Sequence, residues 1–294
     1  VLRRWRLSGS SVFAAQQKDP LFRQKQEALR RLHRRDDPRR LLVEEPDAVE
    51  TRVARLWAAR DELLRLPGRT IGVTGDVSQE ELAPLLQGLL PAVAPPPPGL
   101  APALNPLTPV PGEVTTRMKP LNQVYLALLR PSLGLRHPDY PAFLLVDHVL
   151  GGHFRSRLYQ SLRHDGGETY SPRTQETEDV VPGAYLVQTY TRAENGARVE
   201  AKLRRVVAEL HQGGLSEAER ADAAAYLLGH LAFRGRTPGA RLSEALFERR
   251  HGLPPGFSEA LTRRAAALPL ASLNAFIRDY FDPSRFALVR VAPK

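Results

Sequence analysis

Cysteine is absent from the 294 residues. Disulfides and thiolate metal sites are therefore excluded, and cysteine usage says nothing of the redox compartment. No uninterrupted apolar run approaches the length of a membrane span. The opening Val1-Leu2-Arg3-Arg4-Trp5-Arg6 has no apolar core of the signal-peptide kind. Gly-x-Ser-x-Gly is missing, and no glycine-rich run ends in Lys-Ser or Lys-Thr, which removes the serine-hydrolase elbow and the phosphate loop. The formal net charge is +10, a value that can mark a polyanion partner. Here arginine is scattered through Leu- and Ala-rich helical stretches with no aromatic-interleaved cluster, so nucleic acid is not an expected partner.

What remains is the composition of a soluble globular protein, 42% hydrophobic and 25% charged. Nothing chooses between cytoplasm and periplasm. Val12 to Leu42 reads as charged helix with Asp19-Pro20 as a start and Asp37-Pro38 as an interruption. Val53 to Leu66 is a second helix by the spacing of Val53, Leu56, Trp57, Leu63 and Leu64. Thr70 to Asp76 reads as a short strand, and Ser78 with Glu81 forms a capping box for the next helix. Pro91 to Gly112 is proline-rich and nearly free of charge, the pattern of a stiff extended linker. The linker, 94–114, divides the chain into 1–93 and 115–294.

Within the last segment, Asn122 to Arg130 is apolar on both faces and so a central strand. Gly183 to Thr191 is another strand. Asn195 should cap a helix carrying Val199, Leu203, Val206, Val207 and Leu210, ended by Gly213-Gly214. Ser216 and Glu219 form a capping box, three further helices follow, and Phe286 to Val291 is the last strand. Between Tyr140 and Leu150 lies an apolar helical pattern closed by Gly151-Gly152, a pair suited to a left-handed cap. Leu158 and Leu162 give a second short helix one buried face. Pro67 to Val73 faintly echoes Pro283 to Val289, each after an Arg-Asp pair.

The order Leu150-Gly151-Gly152, Ser156-Arg157-Leu158, Leu162-Arg163, Gly167 and Tyr170-Ser171 resembles the C-terminal domains of the pitrilysin/insulysin family of zinc peptidases, the inverzincins. That resemblance implies tandem α+β domains, each an antiparallel sheet with helices on one side, the first of them (1–93) incomplete here and the second (115–294) complete. It also implies that Gly151, Gly152, Ser156, Arg157 and Gly167 form a structural motif, while Arg163 and Tyr170 bind substrate. In the family the corresponding pair faces the zinc site of another domain, the Arg engaging a peptide carbonyl and the Tyr hydroxyl the developing oxyanion. Read without the family, Arg163 is a helix-end cation and Tyr170 a strand packing residue. His164-Asp165-Gly166 and Glu168-Thr169 depart from the usual family residues at those places.

The family's catalytic signature is H-x-x-E-H. None of the eight His begins it, so no catalytic residue and no metal ligand is assigned to this chain. His148 and His153, five apart across two glycines, are not expected to converge on a metal. The resemblance therefore implies a substrate-binding half of a zinc endopeptidase, with zinc in a partner half or elsewhere in the same longer chain, and unfolded peptides as substrate. The alternative is a non-enzymatic scaffold subunit resembling the core proteins of respiratory complexes.

Overall fold

The computed structural model describes residues 11–35, 37–40, 57–62, 70–89, 107, 112–164, 168–169, 171–177 and 180–294. Most of the expected linker and parts of the expected second helix lie outside those residues. Helix α1 (Pro20–Leu32) starts as its residues dictate: Asp19 accepts a 2.8 Å bond from the Leu21 amide and Pro20 occupies the first turn. Helix α2 (Gln79–Leu89) carries the expected capping box, Glu81 N donating to Ser78 Oγ and Ser78 N to Glu81 Oε2. Residues 70–74 form no strand. Ile71 and Val73 are exposed and pair with no strand among the described residues, and a β-prone run without a partner ladder has nothing to hold it extended.

Among the described residues five strands make one sheet: β1 (Gly112–Met118), β2 (Gln123–Pro131), β3 (Arg173–Glu176), β4 (Ala184–Arg192) and β5 (Ala287–Pro293). Their order is β1-β5-β2-β4-β3, with β2 in the centre as its two-sided apolar pattern required. Three pairings are antiparallel, but β1 runs parallel to β5 from Gly112↔Ala287 to Met118↔Pro293. The sheet is mixed, not wholly antiparallel. The two strands are far apart in sequence, so no tight turn forces them to run in opposite directions.

Side chains alternate along β2, and both sets are buried. Val124, Leu126 and Leu128 face the main core with Tyr185 and Val187 of β4. That core is closed by α3 (Tyr140–Gly151), α5 (Gly196–Gly213), α6 (Glu217–Leu231), α8 (Phe257–Ala266) and α9 (Leu270–Tyr280), after the short α4 (Arg157–Tyr159) and with α7 (Pro238–Arg250) between α6 and α8. Ala127 and Leu129 face the other way, with Ala184, Leu186, Ala287 and Val289, and there they meet Ala28, Leu29 and Leu32 of α1. Helices thus cover both faces, correcting the one-sided expectation. Gln24 on α1 also donates to the Val289 carbonyl at 3.3 Å.

Two helix ends behave as their residues demand. Gly214 closes α5 at φ 66, a conformation that strains any side chain, and Ser216 with Glu219 completes a capping box on α6. Asn195, by contrast, precedes α5 without a side-chain cap bond; its Oδ1 accepts from Arg198 instead.

Candidate functional site

The site grows from the junction of α3 with the edge strand β3. Gly151 and Gly152 are not left-handed; Gly152 has φ −78. They are glycine because neighbours press on them. A Cβ on Gly151 would stand 2.6 Å from the Thr174 amide nitrogen, and one on Gly152 would stand 2.8 Å from the His148 Cα. Two hydrogen bonds tie the polar side chains at this junction. Tyr185 donates to Asp147 Oδ1 at 2.6 Å, and Tyr140 to Glu176 Oε2 at 2.9 Å. Burial raises the Asp147 carboxyl above its ordinary range.

After the glycines the chain turns, and Ser156 caps α4 by accepting from the Tyr159 amide. Arg157 points back into the fold. Its guanidinium donates to both carboxylate oxygens of Glu219 at 2.7 and 2.8 Å, and to the Gly214 carbonyl at 2.7 Å. Burial works against the ionised Glu219, but bonds from Arg157 and Ser216 prevail and hold its pKa low. Leu158 and Leu162 are wholly buried, one in α4 and one in the π-helical turn Gln160–His164 that continues it. Arg157 and Ser156 are thus bound into the fold.

Arg163 follows at the end of that turn, half-buried, its guanidinium 5.8 Å from the Tyr159 ring centre. Gly167 and Tyr170 lie outside the described residues, so the expected meeting of Arg163 and Tyr170 rests on the sequence. Between them, residues 168–169 are held closely. Glu168 is 8% exposed, with Arg198 Nε 2.7 Å from one carboxylate oxygen and Lys202 Nζ 3.0 Å from the other. Its amide donates to the Leu162 carbonyl at 3.3 Å, and its carbonyl accepts from Thr191 Oγ1 at 2.6 Å. Thr169 donates to the Tyr190 carbonyl at 2.6 Å and contacts the Thr189 hydroxyl. Sequence reasoning passed over this cluster; its only signal was the alternation of Thr189 and Thr191 on β4, opposite the unusual Glu168-Thr169 pair.

His148 and His153 lie side by side in spite of their spacing of five, which argues only against a shared metal. The turn at 152–156 folds His153 back, leaving the imidazole centres 4.1 Å apart with the Tyr226 ring 4.4 Å from that of His148. Burial, then the neighbouring His153, lowers the His148 pKa to about 4. Both rings border an open groove of about 1060 Å³ together with Arg155, Lys202, Glu209 and Tyr226. No group of three or more metal-ligating side chains occurs among the described residues. Among the same residues no helix is long and apolar enough to cross a membrane.

A five-stranded mixed sheet, helices on both faces and the Gly-Gly…Ser-Arg-Leu…Leu-Arg turn define the α+β fold of the pitrilysin-type zinc peptidases. The particular branch is given by the family model for the peptidase M16 inactive domain, which matches residues 53–227, and the chain belongs to that family. A Helicobacter pylori non-peptidase homolog, YmxG, is 28% identical over 50% of the chain and 34% of its own length. An uncharacterized zinc protease of the same name from Bacillus subtilis is 23% identical over 62% of the chain and 44% of its own length. The chain thus spans less than half of each curated relative it matches. The crystal structure of a peptidase M16 inactive domain from Pseudomonas fluorescens superimposes with a TM-score of 0.83 at 22% identity, over all of this chain and 70% of that one.

Proposed function

We propose that this inactive domain is the substrate-holding half of a zinc endopeptidase. A zinc-bearing half, in a second subunit or in the same longer polypeptide, supplies the metal-bound water. This half closes over an extended, unfolded peptide and offers Arg163 and Tyr170 to the scissile carbonyl. The observation that carries the reading is the separation of tasks within the motif. Gly151, Gly152, Ser156 and Arg157 are consumed by the fold, whereas Arg163 stands at the end of the turn, half-buried beside the Tyr159 ring. Donors already aimed at a developing oxyanion stabilise the transition state without reorganising. We further propose that residues 1–93 end a first domain that Pro-rich 94–114 joins to 115–294, with α1 of the first packed on the sheet of the second and β1 already begun at Gly112.

Tyr170→Phe in the enzyme reconstituted with its zinc-bearing half tests this. It removes one hydroxyl and keeps the ring, so the melting temperature should hold while turnover falls about a hundredfold or more. Unchanged turnover would leave the motif a folding signature. A second reading draws support from the non-peptidase name of the Helicobacter relative: a scaffold subunit without a role in hydrolysis. Purification from the source cell separates the two. A co-purifying H-x-x-E-H protein whose peptidase activity needs this chain supports the first, and a stable assembly without peptide binding supports the second.

A further inference from the structure

The polar cluster around Glu168 stands on the chain between the two proposed substrate contacts. It is built from two separate elements. Arg198 and Lys202 are four apart on α5, hence on one face of its first two turns, and both reach the Glu168 carboxylate. Thr189, Tyr190 and Thr191 on β4 grip the Glu168 carbonyl and the Thr169 hydroxyl. A carboxylate this buried is costly unless paired, so its place is strongly determined by the two cations. The Glu168 amide, bonded to the Leu162 carbonyl, carries that constraint to the residue before Arg163. On the other side, Tyr170 is covalently next to Thr169.

We propose that Glu168 is a positioning residue. Gripped by Arg198 and Lys202, it sets where the backbone bearing Arg163 stands relative to the sheet. The inference rests on the substrate-holding reading and deepens it. Because an ion pair holds Glu168, the contact geometry is dependent on charge. A displacement of about 1 Å at a binding or reacting centre can cost on the order of a hundredfold.

The full chain is tested by backbone hydrogen exchange across residues 163–172 and by the affinity for a fluorescein-labelled, unfolded casein peptide. Glu168→Gln, and the pair Arg198→Ala with Lys202→Ala, should speed exchange about tenfold and weaken peptide binding about tenfold. Arg198→Lys keeps the charge and should restore both. Glu200→Gln breaks another ion pair on α5, the one to Arg290 at 2.7 Å, and should alter melting without touching the segment. Unchanged exchange in Glu168→Gln overturns the proposal. So does weaker binding in Arg163→Ala with none in Glu168→Gln, an outcome that leaves the substrate-holding reading intact. No weakening in Arg163→Ala overturns that reading itself, and the positioning role falls with it.

Discussion

The first half of the motif and its end are held in opposite ways. From Gly151 to Leu158 every distinctive residue is locked by backbone proximity, a cap, a bidentate ion pair or full burial. At Arg163 the same stretch of chain presents a half-buried cation over a tyrosine ring. One stretch of fixed residues thus mixes two kinds of constraint, and residue type alone does not sort them. An arginine in a sequence pattern is equally an internal strut, as Arg157 is, or a half-buried cation beside a ring, as Arg163 is.

Mutations can sharpen the contrast, beginning with the strongest effect on stability. Gly151→Ala pushes a methyl against the Thr174 backbone; α3 or β3 must move, at roughly 3 kcal/mol or more. Urea titration reads it directly, and a loss under 1 kcal/mol would show that the junction gives easily.

Next comes the buried His148, through pH. Its folded pKa is about 4 against 6.5 unfolded. Between those values the unfolded chain binds the extra proton, so stability rises with pH across that window and is lost as pH falls from 6.5 towards 4. The loss is on the order of 3 kcal/mol. Urea midpoints from pH 4 to 7 for the wild type and His148→Gln measure it, and the variant should show a flatter profile.

Arg157→Ala should cost about 1–3 kcal/mol, since it leaves the Glu219 carboxylate half-satisfied and the Gly214 carbonyl without its guanidinium. The depressed Glu219 pKa gives a second signature. That pair stabilises the fold above the ordinary glutamate range and ceases to do so as pH falls through the lowered folded value. Thermal melts in acid should therefore bring wild type and variant together. Arg163→Ala sits at the bottom of the ranking, a few tenths of a kcal/mol, while peptide affinity should fall most there. A reversed order, with Arg163→Ala the more destabilising, would dissolve the distinction between the two arginines.

Much of the fold was readable because local chemistry is explicit in it. The capping boxes at Ser78 and Ser216 form as written, and the stripe from Val199 to Leu210 is the buried face of α5. Apolar residues on both sides of β2 placed it centrally. Other features are set by neighbours that the sequence does not name. The parallel β1–β5 pair joins residues far apart in sequence. Gly151 and Gly152 answer to crowding by Thr174 and His148, not to a left-handed turn. The contact of His148 with His153 depends on how one short loop doubles back. Family resemblance alone suggests the substrate roles proposed for Arg163 and Tyr170; residue spacing by itself favours a helix-end cation and a packing aromatic.

Helix α1 has a practical consequence for anyone dividing this polypeptide. It lies before the proline-rich stretch, yet Ala28, Leu29 and Leu32 shield Ala127, Leu129, Leu186 and Val289 from water. A recombinant piece cut at residue 112 keeps every strand and loses that shield, baring a greasy sheet surface of the kind that drives aggregation. Severed and then supplied as a separate peptide, residues 11–40 offer the matching stripe together with the Gln24 anchor to Val289. Fragment complementation in trans, read as recovered solubility, would turn this helix from a neighbour in sequence into a detachable wall of the fold.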